Sequence, residues 1–127
     1  MADKYLYGYL IGRDIQVDVI NHRVIHFPKG KGTKIIRMLY LRDTMMRLLV
    51  FLLKNSNVRI ISYNEIMMNV WEMYNLSSSN QRLWQVLHEL ENKLHSIGVM
   101  KGFFSKIEKK GISVNAGVLT TLYYIKI

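Results

Sequence analysis

The 127-residue sequence predicts an α+β fold: a β-rich opening third, three helices in the middle and a β-hairpin after them. Three observations carry that prediction. Apolar and polar residues alternate in "DIQVDVI", the period of a half-buried strand. From Asp43 to Ile97 the apolar spacing lengthens to three and four, the period of a helix, and after Gly98 short alternating runs return around a Lys-Lys-Gly tip.

Residues 5–41 are expected to form an N-terminal antiparallel sheet. Tyr5 to Ile11 makes one strand. In the next, Ile15, Val17 and Val19 lie on one side and Gln16 and Asp18 on the other, and "INHR" turns the chain into "VIHF". "PKGKGTK" at 28–34, with the only proline, two glycines and three lysines, is a basic loop before "IIRMLYL".

Residues 43–97 hold three helices. In "DTMMRLLVFLLKN", Met45, Leu48, Leu49 and Leu52 form a stripe, while Val50, Phe51 and Leu53 make the segment apolar on nearly every side. Such a helix should be covered twice, by the sheet on one face and by the last helix on another. "SYNEIMMNVWEMY" begins with Ser62 and Glu65 in capping-box spacing, and Ile66, Val70 and Met73 follow at helical intervals. Ser78 and Gln81 repeat that spacing before the third helix, 79–97, whose stripe is Leu83, Val86, Leu87, Leu90, Leu94 and Ile97 and whose stop is Gly98. Trp71 ends an apolar stripe and is expected in the core, with Trp84 at its boundary. Residues 103–115 read as a hairpin with Gly111 at its tip, where glycine can take a positive φ, and "VLTTLYYIKI" within 118–127 is β-prone enough for an extra strand. With no linker and no repeat, 1–127 reads as a single domain.

Composition narrows the function. Eighteen Lys and Arg against nine Asp and Glu, a formal net charge of +9, point to a polyanionic partner, either nucleic acid or an anionic membrane surface. The absence of cysteine removes disulfides and thiolate metal ligands, which fits a cytoplasmic protein. "LLVFLL" and "GVLTTLYYI" are far shorter than the roughly 20 apolar residues of a membrane span. His88 and His95 lie seven apart on a helix, and His22 and His26 lie by a strand, without carboxylates at ligand spacing, so no metal is expected. There is no P-loop, dinucleotide-binding glycine turn or nucleophile elbow, so the sequence predicts no catalytic residue, no cofactor and no enzyme activity.

Helix, capped helix, short turn, longer helix, basic hairpin: that order is a winged helix-turn-helix. With its leading strands the chain resembles the DNA-binding domain of the OmpR/PhoB family of bacterial transcription regulators, and more closely the ToxR/CadC-like branch. The resemblance runs over residues 6–115. "YLIGRDIQVDVINHRVIHF" is similar to the opening strands, "LRDTMMRLLVFLL" occupies the place of the first helix, and "ISYNEIMMNVW" looks like the second, ending in Trp71 where tryptophan is typical. "LWQVLHELENKL" is similar to the family's recognition helix, with Leu90, Lys93 and Leu94 in register, and "FSKIEKKGISV" stands where the wing does. Met45 replaces a usual Glu, Ile112 a usual Tyr, and Glu91 a usual Arg. With Glu89, Glu91 leaves the helix little net positive charge, so phosphate attraction must come from elsewhere.

This resemblance gives the third helix a task that its composition fits. With Leu83, Leu87, Leu90 and Leu94 inward, a step of about 100° per residue projects Gln81, Gln85, His88 and Asn92 outward together. Amides can pair in bidentate fashion with adenine in the major groove, so these four are the expected base readers. Ser78 and Ser79 at the helix N-terminus, Arg82 on its flank, and Lys106, Lys109 and Lys110 on the wing are the expected phosphate contacts. The implied function is a sequence-specific, double-stranded DNA-binding transcription regulator, an activator if the 74–79 loop touches RNA polymerase as in the family, with room for a homodimer on DNA. The alternative is a protein-interaction module of the same fold that modulates a partner regulator without reading DNA sequence.

Overall fold

The computed structural model describes residues 3–30, 32 and 35–127. Four strands open the chain: β1 (Lys4–Ile11), β2 (Ile15–Asp18), β3 (Arg23–His26) and β4 (Arg37–Tyr40). They pair antiparallel in sequence order, Tyr9 opposite Val17 and Val17 opposite Val24, which puts the apolar members of each strand in line on one face. The final strand, β8 (Leu119–Ile125), returns to the other side of β1 and completes a five-stranded sheet of order β4-β3-β2-β1-β8. Of the basic loop expected at 28–34, Lys31, Thr33 and Lys34 lie outside the described residues.

Two details of this sheet differ from the sequence expectation. The turn after β2 occupies 19–22, one residue earlier, and His22 takes the left-handed φ of 52° that closes it. Asp18, expected on a solvated side, is fully buried. Its carboxylate accepts from the Asn21 backbone N–H (3.2 Å), the Asn21 amide (2.8 Å) and Arg23 Nε (2.8 Å), so the charge is satisfied by the turn that follows it and the first residue of β3. Desolvation alone would raise its pKa, but the Asn21 and Arg23 hydrogen bonds together prevail and hold it below the ordinary 3.8.

A carboxylate with a depressed pKa stabilises the fold fully above its unfolded value and loses that contribution as pH falls through the folded value. Urea unfolding of the parent and of Asp18→Asn should therefore differ most at neutral pH, with the gap closing as the pH drops below 3.8. A gap independent of pH would contradict the charged-Asp18 account.

Helix α1 (Asp43–Lys54) buries Met45, Met46, Leu48, Leu49, Leu52 and Leu53. Val50 and Phe51 are partly buried, because they line an open groove of about 470 Å³ between α1, the β2–β3 turn and the segment after the second helix. One continuous core joins the sheet (Tyr9, Ile11, Ile15, Val17, Val24), α1 and the last helix (Leu83, Leu87, Leu90, Leu94). The first helix is thus covered on more than one face, as its composition requires.

Helix α2 (Tyr63–Val70) is capped by Ser62, whose hydroxyl accepts the Glu65 N–H at 3.2 Å. It ends sooner than the apolar spacing suggested. After Val70 the chain tightens into a 3-10 turn, Glu72–Tyr74, and Asn75 reverses it at φ 58°. Trp71 is buried at this corner, whereas Met73, expected on the inner stripe, is 67% exposed.

The third helix, α3 (Asn80–Ser96), starts one residue later than expected because Ser79, not Ser78, is its cap. Ser79 Oγ accepts the Arg82 N–H at 3.0 Å, while Ser78 Oγ donates to Glu72 Oε2 at 2.6 Å and ties the loop back to the 3-10 turn. At the far end Gly98 takes φ 109°, and the Val99 N–H returns to the Leu94 carbonyl.

The hairpin of β6 (Phe104–Ile107) and β7 (Gly111–Val114) is joined by β5 (Ile61–Ser62), a two-residue strand before α2, into a sheet of order β5-β7-β6. Gly111 serves a different purpose from the one its place at the tip suggested. Lys109 carries the positive φ of the turn, 62°. A Cβ on Gly111 would lie 1.9 Å from the Ile61 carbonyl oxygen, so glycine is what lets β5 approach β7.

Candidate nucleic-acid interface

Helix α3 buries Leu83, Val86, Leu87, Leu90 and Leu94, and this inward stripe fixes what faces out. Gln81, Gln85, His88 and Asn92 are all exposed. At 3.6 residues per turn they fall within about 60° of arc, a single polar ridge along the helix. His88 Nε2 and the Asn92 amide are 3.2 Å apart, so the lower half of the ridge is a linked pair, whereas neither Gln81 nor Gln85 has a side-chain partner among the described residues.

Charge on the flanks of the ridge is balanced by neighbours. Glu89 on one side accepts from Arg42 Nη2 at 2.8 Å, and Glu91 on the other lies 3.0 Å from Lys106 Nζ. Glu91, where the family resemblance led one to expect Arg, therefore holds a wing lysine in place. The same lysine lies 5.6 Å from the centre of the Trp84 ring, and Tyr63 meets that ring edge-on at 5.2 Å. Tyr63 also donates its hydroxyl to the Ile107 carbonyl at 3.1 Å, and burial raises its pKa, which keeps the donor proton on. Residues of α2, α3 and β6 thus clamp the hairpin to the third helix.

Beyond that clamp the wing ends in Lys109 and Lys110, both exposed and neither in an ion pair among the described residues. At the N-terminus of α3, Ser79 occupies the Arg82 N–H, which leaves the amides of Asn80 and Gln81 facing solvent at the positive end of the helix dipole. Arg82 projects from the same turn and is exposed. Ser78 is half-buried and engaged with Glu72.

The ridge, the helix N-terminus and the wing tip were legible as groups of residues. Arg42, Tyr63 and the coupling of Glu91 to Lys106 were not. Arg42 and Glu89 stand 47 positions apart, a separation at which no local pattern connects two charges. Among the described residues no helix is long and apolar enough to cross a membrane, and no three His, Asp or Glu gather as a metal site.

No family model matches the chain, and no curated protein sequence does either. Solved structures do match its fold. The DNA-binding domain of E. coli CadC superposes with a TM-score of 0.67 at 19% identity, covering 96% of this chain and 100% of that one. The DNA-binding domain of the response regulator AdeR, in complex with an intercistronic region, superposes with a TM-score of 0.59 at 18% identity, covering 80% of this chain and 94% of that one. With its N-terminal antiparallel sheet, three helices and C-terminal hairpin, the chain has the winged-helix fold of these two DNA-binding domains.

Proposed function

We propose that this protein is a transcription regulator that binds double-stranded DNA, reading the major groove with α3 and holding phosphates with the wing. The observation that carries the reading is the ridge of α3. Three amides and an imidazole, Gln81, Gln85, Asn92 and His88, face out from a helix whose two acids are neutralised by Arg42 and Lys106, in a chain of net charge +9. Gln85 at the centre of the ridge makes the principal base contact, with Gln81, His88 and Asn92 beside it. Lys109, Lys110, Arg82 and the open amides behind Ser78 and Ser79 hold the backbone, and Lys106 contributes less because Glu91 already occupies it.

The chain acts as an activator in this reading, with the exposed Tyr74 and Leu76 in the 74–79 loop as the surface offered to RNA polymerase. Two copies can share a DNA site.

Gln85→Ala should weaken binding to the preferred site by about 1 to 3 kcal/mol and leave random DNA nearly unaffected, as expected when a base-edge contact is removed. Parallel titrations of the two duplexes check it. Equal losses on both, or none, would remove Gln85 from the base-reading set.

A second reading, a module of the same fold that binds a partner protein and reads no DNA, is favoured by one feature. Ile35, Ile36, Met38 and Tyr40, in and just before β4, are each between 46% and 66% exposed. The absence of duplex binding by the parent protein would select it.

A further inference from the structure

Strand β8 (Leu119–Ile125) has β1 on one side and, among the described residues, nothing on the other. Its seven residues, LTTLYYI, carry no charge, no proline and no glycine, and Tyr123 and Ile125 are 57% and 55% exposed. Sheet edges in soluble proteins are ordinarily blunted by a charged side chain, a proline or a bulge, because an open row of N–H and C=O groups accepts another strand. The opposite edge of this sheet is so blunted: β4 has four residues and begins with Arg37, whose guanidinium reaches the Ser96 carbonyl at 3.5 Å.

We propose that β8 is a self-association edge, pairing antiparallel with β8 of a second copy about a two-fold axis at Leu122. Sequence and charge favour a second copy as the occupant. In that register Leu122 faces Leu122, Thr121 faces Tyr123, Thr120 faces Tyr124 and Leu119 faces Ile125, so every residue of the strand meets an uncharged partner and the Thr–Tyr pairs join β-forming residues. A two-fold axis needs such a self-complementary patch.

Two chains of net charge +9 repel each other over most of their surface, and a neutral strand is where they can meet. The nearest lysine in the chain, Lys126, would lie opposite position 118 of the second copy. The two Lys126 side chains would then be eight residues apart along the ladder, roughly 27 Å at 3.4 Å per residue, well beyond the Debye length of about 10 Å at 0.1 M salt. The interface is small, so the dimer is weak and concentration-dependent. It does not use α3 or the wing, and so stands or falls apart from DNA binding.

Sedimentation equilibrium of the full chain over a wide concentration range tests the proposal, together with two kinds of variant. Thr121 is exposed, so Thr121→Lys and Thr121→Glu should keep the fold, which far-UV circular dichroism verifies. Either variant alone places like charges at diagonal positions about 7 to 8 Å apart across the axis and should weaken dimerisation about fivefold, whereas an equal mixture of the two should recover it. Because the chain has no cysteine, Leu122→Cys provides an independent reading of register. Facing Cα atoms about 4.5 to 5.5 Å apart suit a disulfide, so mild oxidation should yield a covalent dimer. A parent that remains monomeric at every concentration overturns the proposal. So does a parent dimer that is indifferent to both charge variants, or one that Leu122→Cys fails to lock.

Discussion

Trp71→Ala should destabilise the protein by about 3 to 5 kcal/mol, the range for removing a buried tryptophan without refilling its space. Its side chain is 1% exposed at the corner between α2 and α3. The backbone of the same residue organises the corner: its N–H donates to the Met67 carbonyl at 3.0 Å, and its own carbonyl accepts from Tyr74 and Leu76, each at 3.0 Å. The indole therefore holds the point from which the loop leads into the Ser79 cap and so sets where α3 begins. Chemical denaturation checks the expectation: the urea midpoint should fall steeply with little change in slope. A loss under about 1 kcal/mol would mean that the corner is held by its backbone alone. Since a small domain has only about 5 to 15 kcal/mol of stability in all, the same substitution should lower the active fraction measured in any binding assay.

The longer strands and the helices were legible because they carry a period of their own. β2 alternates, α1 and α3 carry stripes at three and four, and Gly98 stops α3 where the stripe ends. Misreadings arose where two local patterns compete. "SSSNQR" offers a serine three residues before both Gln81 and Arg82, and in the structure Ser78 turns to Glu72 while Ser79 is the cap. Met73 continues the α2 stripe in sequence, but Trp71 fills the corner and the chain tightens before Met73 can turn inward. Asp18 satisfied the alternation rule as a polar residue on an outer face. Its partners Asn21 and Arg23 stand three and five residues away, near enough to have signalled a buried carboxylate. Strand β5 has two residues and no period to detect, and the clue to it is Gly111 across the ladder.

For the candidate site, sequence supplied the members and the structure supplied their neighbours. Glu89 and Glu91 seemed in sequence to oppose contact with phosphates. Placed beside Arg42 and Lys106 they become parts of the scaffold, and in the proposed reading phosphate attraction falls to wing-tip residues that have no ion-pair partner among the described residues.

Those residues are Lys109 and Lys110, and replacing both with alanine should weaken binding to every duplex alike while preserving sequence preference. The hairpin turn would persist, since its left-handed residue at position 109 adopts φ 62° at a modest cost for alanine as for lysine, and neither side chain supports the core. Each phosphate contact contributes roughly 0.9 to the slope of log affinity against log salt, so losing two should flatten the slope by up to about 2. Lys106→Ala should change the slope less, because the residue is paired with Glu91 before DNA arrives. Coincident slopes for the parent and the double variant would place the phosphate contacts elsewhere on the chain.

The most direct test of the whole account is a titration of the parent protein with labelled duplexes, its selected site and a scrambled sequence of equal length, at several salt concentrations. The account predicts that log affinity falls linearly with log salt on both duplexes, with the selected site bound more tightly throughout. Absence of salt-dependent binding to either duplex would contradict it and leave a winged-helix module whose partner is a protein.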